Sequence, residues 1–241
     1  MTMKPFFVTL MLLGAAQAAP LSINLSMNAG QEPLEFGKTY TNGAGNTYQV
    51  DLVKFYFSEV ALVKADGTEL PLDGLKLLEF NKATGTQKLP IFTADVPAGT
   101  YKGVRFSIGI PRALNHLDPT AQKPPLGVDS GMVWAWNPGY VFYKIEGKFL
   151  KDQAQQPFSL HLGLDSYKLQ YNLADLQMQK IQIPVTAQGG TINLKLDVAQ
   201  MFKAGLAGEK YDLSQSKYQQ VHSGPVFGAA YLNLLSAFTL E

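Results

Sequence analysis

Hydrophobic and polar residues alternate along much of this chain with the two-residue period of a half-buried β-strand. Leu21 to Met27 sets Leu, Ile, Leu and Met against Ser and Asn. Phe158, Leu160, Leu162 and Leu164 share one face of the next clear case, with Ser159, His161 and Gly163 on the other. Val50 to Val63 is more continuously apolar and contains Phe55, Tyr56 and Phe57 in a row. It runs into Ala65-Asp66-Gly67-Thr68, an Asp-Gly turn signal that predicts a hairpin returning along Glu69 to Leu72. The same reasoning predicts strands at Leu75–Phe80, Ile91–Val96, Thr100–Ile110, Met132–Trp136, Tyr140–Leu150, Ile181–Val185 and Thr191–Asp197. Val198–Lys203 predicts a short helix. Pro225–Phe238 predicts a longer one, with Val226, Ala229, Ala230, Asn233, Leu234 and Ala237 at helical spacing. Between the strands lies one long Pro-, Asp- and Gly-containing connection, Pro111 to Gly131, of a length that is often functional. The expected fold is all-β: an antiparallel two-sheet sandwich with long loops and a short C-terminal helical segment.

Composition refines this picture. Met1 to Ala18 reads as a secretory signal, with Lys4 at its start, the apolar run Phe6–Leu13, and Ala16-Gln17-Ala18 for cleavage. The run is far shorter than the ~20 residues of a membrane span. Residues 19–241 are then a single domain in the periplasm or outside the cell. The chain has 20 Lys and Arg against 19 Asp and Glu, and the leader contributes only Lys4, so the remainder is formally neutral. No global attraction to nucleic acid or an anionic membrane is encoded. Cysteine is absent, which excludes a thioether-linked lipid, thiol catalysis and any cysteine-held zinc or iron–sulfur site. A metal would have to be held by His, carboxylate, Met or something unusual.

Both tryptophans of the chain, Trp134 and Trp136, stand two residues apart in Gly131-Met132-Val133-Trp134-Ala135-Trp136-Asn137-Pro138-Gly139-Tyr140. In a strand that spacing turns both indoles to one face, with Met132 beside them. Such a pair is either the centre of a core or the centre of a site. An indole has an N–H to donate and no lone pair for a metal, so a metal site here requires a chemically altered tryptophan. The chain has three histidines. His116 sits in the long connection and His161 on the less apolar face of its strand, which pairing with the strand after the tryptophans would carry toward them. His222 lies in a polar stretch that reads as solvent-exposed. Each also has an ordinary structural reading, as a surface or backbone-bonded imidazole. Asp118, Asp129 and Asp165 have no spacing that favours hydrolytic chemistry, and phosphate-loop, nucleophile-elbow and His-Glu-x-x-His patterns are absent. The competing reading is a non-metal binding module, with Trp134, Trp136 and Tyr140 forming an aromatic platform for a sugar or peptide.

Several passages together resemble the MbnP-like family of copper-binding periplasmic proteins, relatives of MopE and CorA. They are Leu52 to Val60, Pro97-Ala98-Gly99-Thr100-Tyr101, Phe106 to Pro111, Asn115-His116 with Pro124-Pro125-Leu126, Met132 to Gly147, and His161-Leu162-Gly163. Where many relatives carry a cysteine after the last motif, this chain runs Leu164-Asp165-Ser166-Tyr167. The resemblance implies a Cu(I) site made of two histidines and a kynurenine formed by oxidising a tryptophan. It implies no enzymatic turnover, and an oxidising partner of the di-haem peroxidase-like (MbnH-type) class. Neutral imidazole suits copper, and a ligand set without carboxylates suits Cu(I). By motif match the metal ligands are His116 and His161, the oxidised residue is Trp134 or Trp136, and Met132 and His222 are additional candidates.

Overall fold

The computed structural model describes residues 18–85, 89–173 and 182–241. The expected leader lies outside the described residues except for Ala18, and so does Ile181. The strands are β1 (Ala18–Ala29), β2 (Glu32–Pro33), β3 (Thr39–Thr41), β4 (Thr47–Lys64), β5 (Glu69–Asn81), β6 (Leu89–Pro97) and β7 (Gly99–Ile108). They continue with β8 (Val141–Lys151), β9 (Ala154–Gly163), β10 (Leu169–Asn172), β11 (Ile183–Val185), β12 (Gly190–Asp197), β13 (Gln220–Val221) and β14 (Phe238–Leu240). Among the described residues two α-helices form, the single turn α1 (Arg112–Asn115) and α2 (Pro225–Leu235).

Two sheets pack face to face, as the alternation predicts. In the smaller, β14, β12, β1 and β2 are neighbours in that order, and β6 also pairs with β1. The larger runs β10-β7-β4-β8-β9-β13, with β11 on β7 and both β3 and β5 on β4. Most pairings are antiparallel; β1 with β12 and β9 with β13 are parallel. Strand β1 shows why it forms: Leu21, Ile23, Leu25 and Met27 are buried in the core while the residues between them are partly exposed. Each such apolar side chain contributes about 1.5–3 kcal/mol on burial. Against them stand Val53, Phe55 and Phe57 of β4 and Tyr143 and Ile145 of β8.

Strand β4 is 18 residues long and apolar on both faces for a definite reason. Phe55 and Phe57 enter the core between the sheets, so Tyr56 must point the other way. Yet Tyr56 is fully buried, in a second cluster with Ile110, Leu126, Met132, Trp134, Tyr140, Val141 and Phe142. The long connection supplies the cover: it folds over the outer face of β4, and the Tyr56 hydroxyl donates to the Pro125 carbonyl at 2.9 Å.

The chain differs from expectation at four places. Glu69 to Asn81 is one continuous strand, since β4 offers it an unbroken edge except for one bulge near Glu59. Val198–Phe202 is a 3-10 turn capped by Asp197, whose carboxylate accepts from the Ala199 N–H. Helix α2 stops at Leu235, because Phe238 is drawn into the sheet beside Leu196. Met132–Trp136 is not a strand. Only Val133 bridges to Tyr140, and Asn137-Pro138-Gly139 folds the segment back on itself. The indoles therefore do not share one environment: Trp134 is 7% exposed and Trp136 is 58% exposed.

Candidate metal centre

The segment carrying the tryptophans is anchored by Asn115. This residue is buried, its Oδ1 accepts the Tyr140 N–H at 2.9 Å, and its Nδ2 donates to Asp165 Oδ1 at 2.8 Å. Gly139 is needed for that approach. Its φ is +107°, and a Cβ there would stand 2.9 Å from Asn115 Oδ1. Asn115 thus ties three separate stretches together: the long connection, the tryptophan turn and the loop after β9.

His116 follows directly. Its Nε2 meets Asp165 Oδ2 at 2.9 Å, and Arg112 Nε lies 3.2 Å from the same oxygen. Partial burial pushes the Asp165 carboxyl up, but its bonds to His116 and Asn115 outweigh this and hold it below its ordinary value. An ionised carboxylate only accepts, so His116 Nε2 carries a proton, and in the neutral ring the lone pair is then on Nδ1. Beside His116 is a cleft of about 440 Å³, also lined by Leu117, Asp118, Val133, Trp134 and Trp136.

His161 also lies near Trp134. In the β8–β9 ladder it is level with Lys144, and Ser159 is level with Glu146. His161 Nε2 meets Glu146 Oε1 at 2.7 Å, and Lys144 Nζ is drawn away to the Gly131 carbonyl at 2.9 Å. The His161 bond holds Glu146 below the ordinary carboxylate range against the opposing effect of burial. His222, which sequence reading placed in solvent, is part of the same group. Its ring stacks on His161 with centroids 4.3 Å apart and planes 11° apart. Burial, followed by the neighbouring His161, pushes its pKa down.

Trp134 is the hub. Its ring centroid is 6.4 Å from that of His161, 6.5 Å from that of His222 and 5.1 Å from that of Trp136. Its ring contacts among the described residues do not include His116, which shares the cleft with it. The indole edge rests on Gly163, where a Cβ would come 2.8 Å from Trp134 Nε1 and 2.5 Å from the Tyr140 carbonyl. Trp134 Nε1 is itself buried with no hydrogen-bond partner. A buried, unpaired donor is costly, and such groups mark places where structure serves something other than stability. Met132 is fully buried in the cluster under the long connection and serves there as packing.

Among the described residues, no three His, Asp or Glu side chains converge as a metal-binding group. Around Trp134 stand the imidazoles of His161 and His222, with Glu146 bonded to His161 and Asp118 lining the neighbouring cleft. Sequence reasoning missed Asp165, Glu146 and Ser159 as the partners of the three imidazoles. Single acids and serines carry no spacing signal, and the pairing that aligns them is set by the ladder.

No described helix is long and apolar enough to cross a membrane. Among curated proteins none matches the chain. Among solved structures, MbnP from Methylosinus trichosporium shares the fold, with a TM-score of 0.56 at 18% identity, over 87% of this chain and 82% of that one. The MbnP family model matches residues 18–223, which takes in both tryptophans and all three histidines. This chain belongs to the MbnP family.

Proposed function

We propose that this chain is an exported protein, periplasmic or secreted, that holds Cu(I) through His116, His161 and a kynurenine made from Trp134. It serves copper storage, delivery or scavenging and has no turnover of its own. One observation carries the choice of Trp134: it is the buried indole, packed against imidazoles, with its Nε1 lacking a partner. Oxidation opens the C2–C3 bond of the indole and adds an oxygen to each carbon. When water supplies those oxygens, four electrons and four protons leave toward a haem peroxidase-type oxidant. Hydrolysis then releases C2 as formate. Nε1 remains on the ring as an aromatic amine with a lone pair, where before it had only a proton to donate. Trp136, exposed and 5.1 Å away, is placed to pass electrons from Trp134 to a partner docked outside.

The platform alternative fits less well, because Trp134 and Tyr140 are buried and only Trp136 offers a face to solvent. Intact-mass spectrometry tests the proposal. Chain produced with a di-haem peroxidase-type partner should gain about 4 Da, one oxygen gained for one carbon lost. Trp134→Phe should abolish the gain and weaken Cu(I) binding, measured by chelator competition. A Trp134→Phe chain that binds Cu(I) as tightly as the oxidised parent overturns it.

A further inference from the structure

The bond between Asp165 and His116 depends on where the turn after β9 is held, and that turn is not relaxed backbone. Leu164, between Gly163 and Asp165, has φ +80° and ψ +141°, a region ordinarily left to glycine. Such a conformation lasts only where the surroundings over-determine it. The chain leaves β9 at this residue, and Asp165 follows with one carboxylate oxygen on Asn115 and the other on His116.

Tyr167 is the fastening of that turn. It closes the single 3-10 turn Asp165–Tyr167, and its N–H donates to the Leu164 carbonyl at 3.0 Å. Its half-buried ring meets Phe227 and Tyr231 of α2 edge to face, with centroids 4.7 and 5.2 Å away. Phe227 and Tyr231 stand four residues apart, so both project from one side of the helix. The helix itself is firmly tied down. The Tyr171 hydroxyl donates to the Leu234 carbonyl at 2.5 Å, and the Asn233 amide donates to the Met201 and Ala204 carbonyls at 3.2 and 2.8 Å. The other holds on the turn are weak. Ser166 is exposed, Arg112 reaches Asp165 from solvent, and the partly exposed Lys168–Glu59 pair contributes little. Helix α2 begins at Pro225, past residue 223 where the match to the MbnP family ends.

We propose that Tyr167 is a positioning residue for His116: seated against Phe227 and Tyr231, it holds the Leu164 turn and so keeps the Asp165 carboxylate on the imidazole. Without the ring, Leu164 relaxes to ordinary backbone and Asp165 moves off. His116 then loses the partner that fixes its direction and tautomer. The C-terminal helix thereby governs one arm of the cleft beside Trp134 through a single aromatic contact. A weaker metal site is the functional consequence, and that part rests on the reading of His116 as a ligand; the positioning itself does not.

The test follows imidazole protons by 1H–15N NMR in metal-free, full-length chain with both tryptophans intact. The parent should show hydrogen-bonded Nε2 protons on both His116 and His161. In Tyr167→Ala the His116 proton should be lost to exchange with water. The His161 proton, held by Glu146 within the β8–β9 ladder, should stay. Tyr167→Phe should restore the parent pattern, because the ring makes the contact. Tyr231→Ala, at a half-buried position, should give the same loss in weaker form and replaces the first variant if that one does not fold. In oxidised chain, Tyr167→Ala should weaken Cu(I) binding at least about tenfold by chelator competition, and Tyr167→Phe should not. A folded Tyr167→Ala or Tyr231→Ala chain with the parent His116 signal overturns the proposal. Equal loss at His161 overturns it too, since that is general loosening. A lost His116 proton with unchanged Cu(I) affinity upholds the positioning and counts instead against His116 as a ligand.

Discussion

Asp165 holds His116: one carboxylate oxygen meets the imidazole Nε2 at 2.9 Å while the other takes the Asn115 amide at 2.8 Å. The bond sets both the ring's direction and its tautomer, the two properties a histidine ligand must have before metal arrives. Asp165→Asn replaces an acceptor with a group able to donate, which lets His116 Nε2 become the bare nitrogen and Nδ1 the protonated one. Cu(I) affinity of oxidised protein should fall by about 10–100-fold, read by chelator competition. His116→Ala should lower it at least as far. If Asp165→Asn leaves affinity unchanged, the carboxylate does not orient a ligand.

The same carboxylate makes a prediction about acid. Asp165 is held below its ordinary 3.8 in the folded chain. A depressed carboxyl contributes stability that is complete above the unfolded value and is lost as pH falls through the folded one. The tie to His116 should therefore survive mild acid and loosen only below about pH 4, where Asp165 takes up its proton. Following the His116 imidazole by NMR between pH 6 and pH 2 checks this, and loss of the bond already at pH 5 contradicts it.

Asn115 is nearly fully buried and its side-chain oxygen is the partner of the Tyr140 N–H. Asn115→Ala leaves that backbone donor unsatisfied, at a cost of about 1–3 kcal/mol. The effect should also be local, releasing the tryptophan turn. Urea denaturation gives the loss, and amide exchange at Tyr140 should speed up far more than exchange within β1.

At Gly163, a methyl group would meet the Tyr140 carbonyl at 2.5 Å and the Trp134 ring at 2.8 Å. Backbone and a packed indole cannot both yield, so Gly163→Ala should cost about 1–3 kcal/mol through overpacking. The Trp134 indole should shift outward. A red-shifted emission in a Trp136→Phe background, where Trp134 is the sole fluorophore of its kind, would show it.

Exposure separates the two tryptophans without any metal. Trp136→Phe should leave blue-shifted emission that iodide quenches poorly, because Trp134 is buried. Trp134→Phe should leave red-shifted, readily quenched emission from Trp136. Equal quenching in the two variants would place both indoles alike and remove the basis for choosing Trp134.

Much of the fold was legible because burial leaves a period in the sequence. The alternation in Leu21–Met27 and Phe158–Leu164 translates directly into β1 and β9. The Asp66-Gly67 signal is the turn between β4 and β5, with Gly67 at φ +88°. Where periodicity misled, a longer-range contact won. Trp134 and Trp136 have strand spacing, but Pro138 and Gly139 turn the backbone and Asn115 captures Tyr140, so one indole goes in and the other out. The site was legible in its residue types and not in its geometry. His222 reads as a solvent residue in Gln219-Gln220-Val221-His222-Ser223-Gly224, and nothing local shows that a two-residue parallel pairing lays it on His161.

By itself, the sequence determined the strand-rich class, the absence of thiol chemistry and the rule that an indole must be altered before it can ligate. These follow from side-chain chemistry and nearest-neighbour period, which need no knowledge of what lies across space. Only the tertiary structure decided which tryptophan sits among imidazoles, which side chain holds each histidine, and that His222 joins them. Those are contacts between residues far apart along the chain, such as His116 with Asp165 and Ser159 with His222. Pairing register and the cover over β4 bring them together, and neither is written in any one segment.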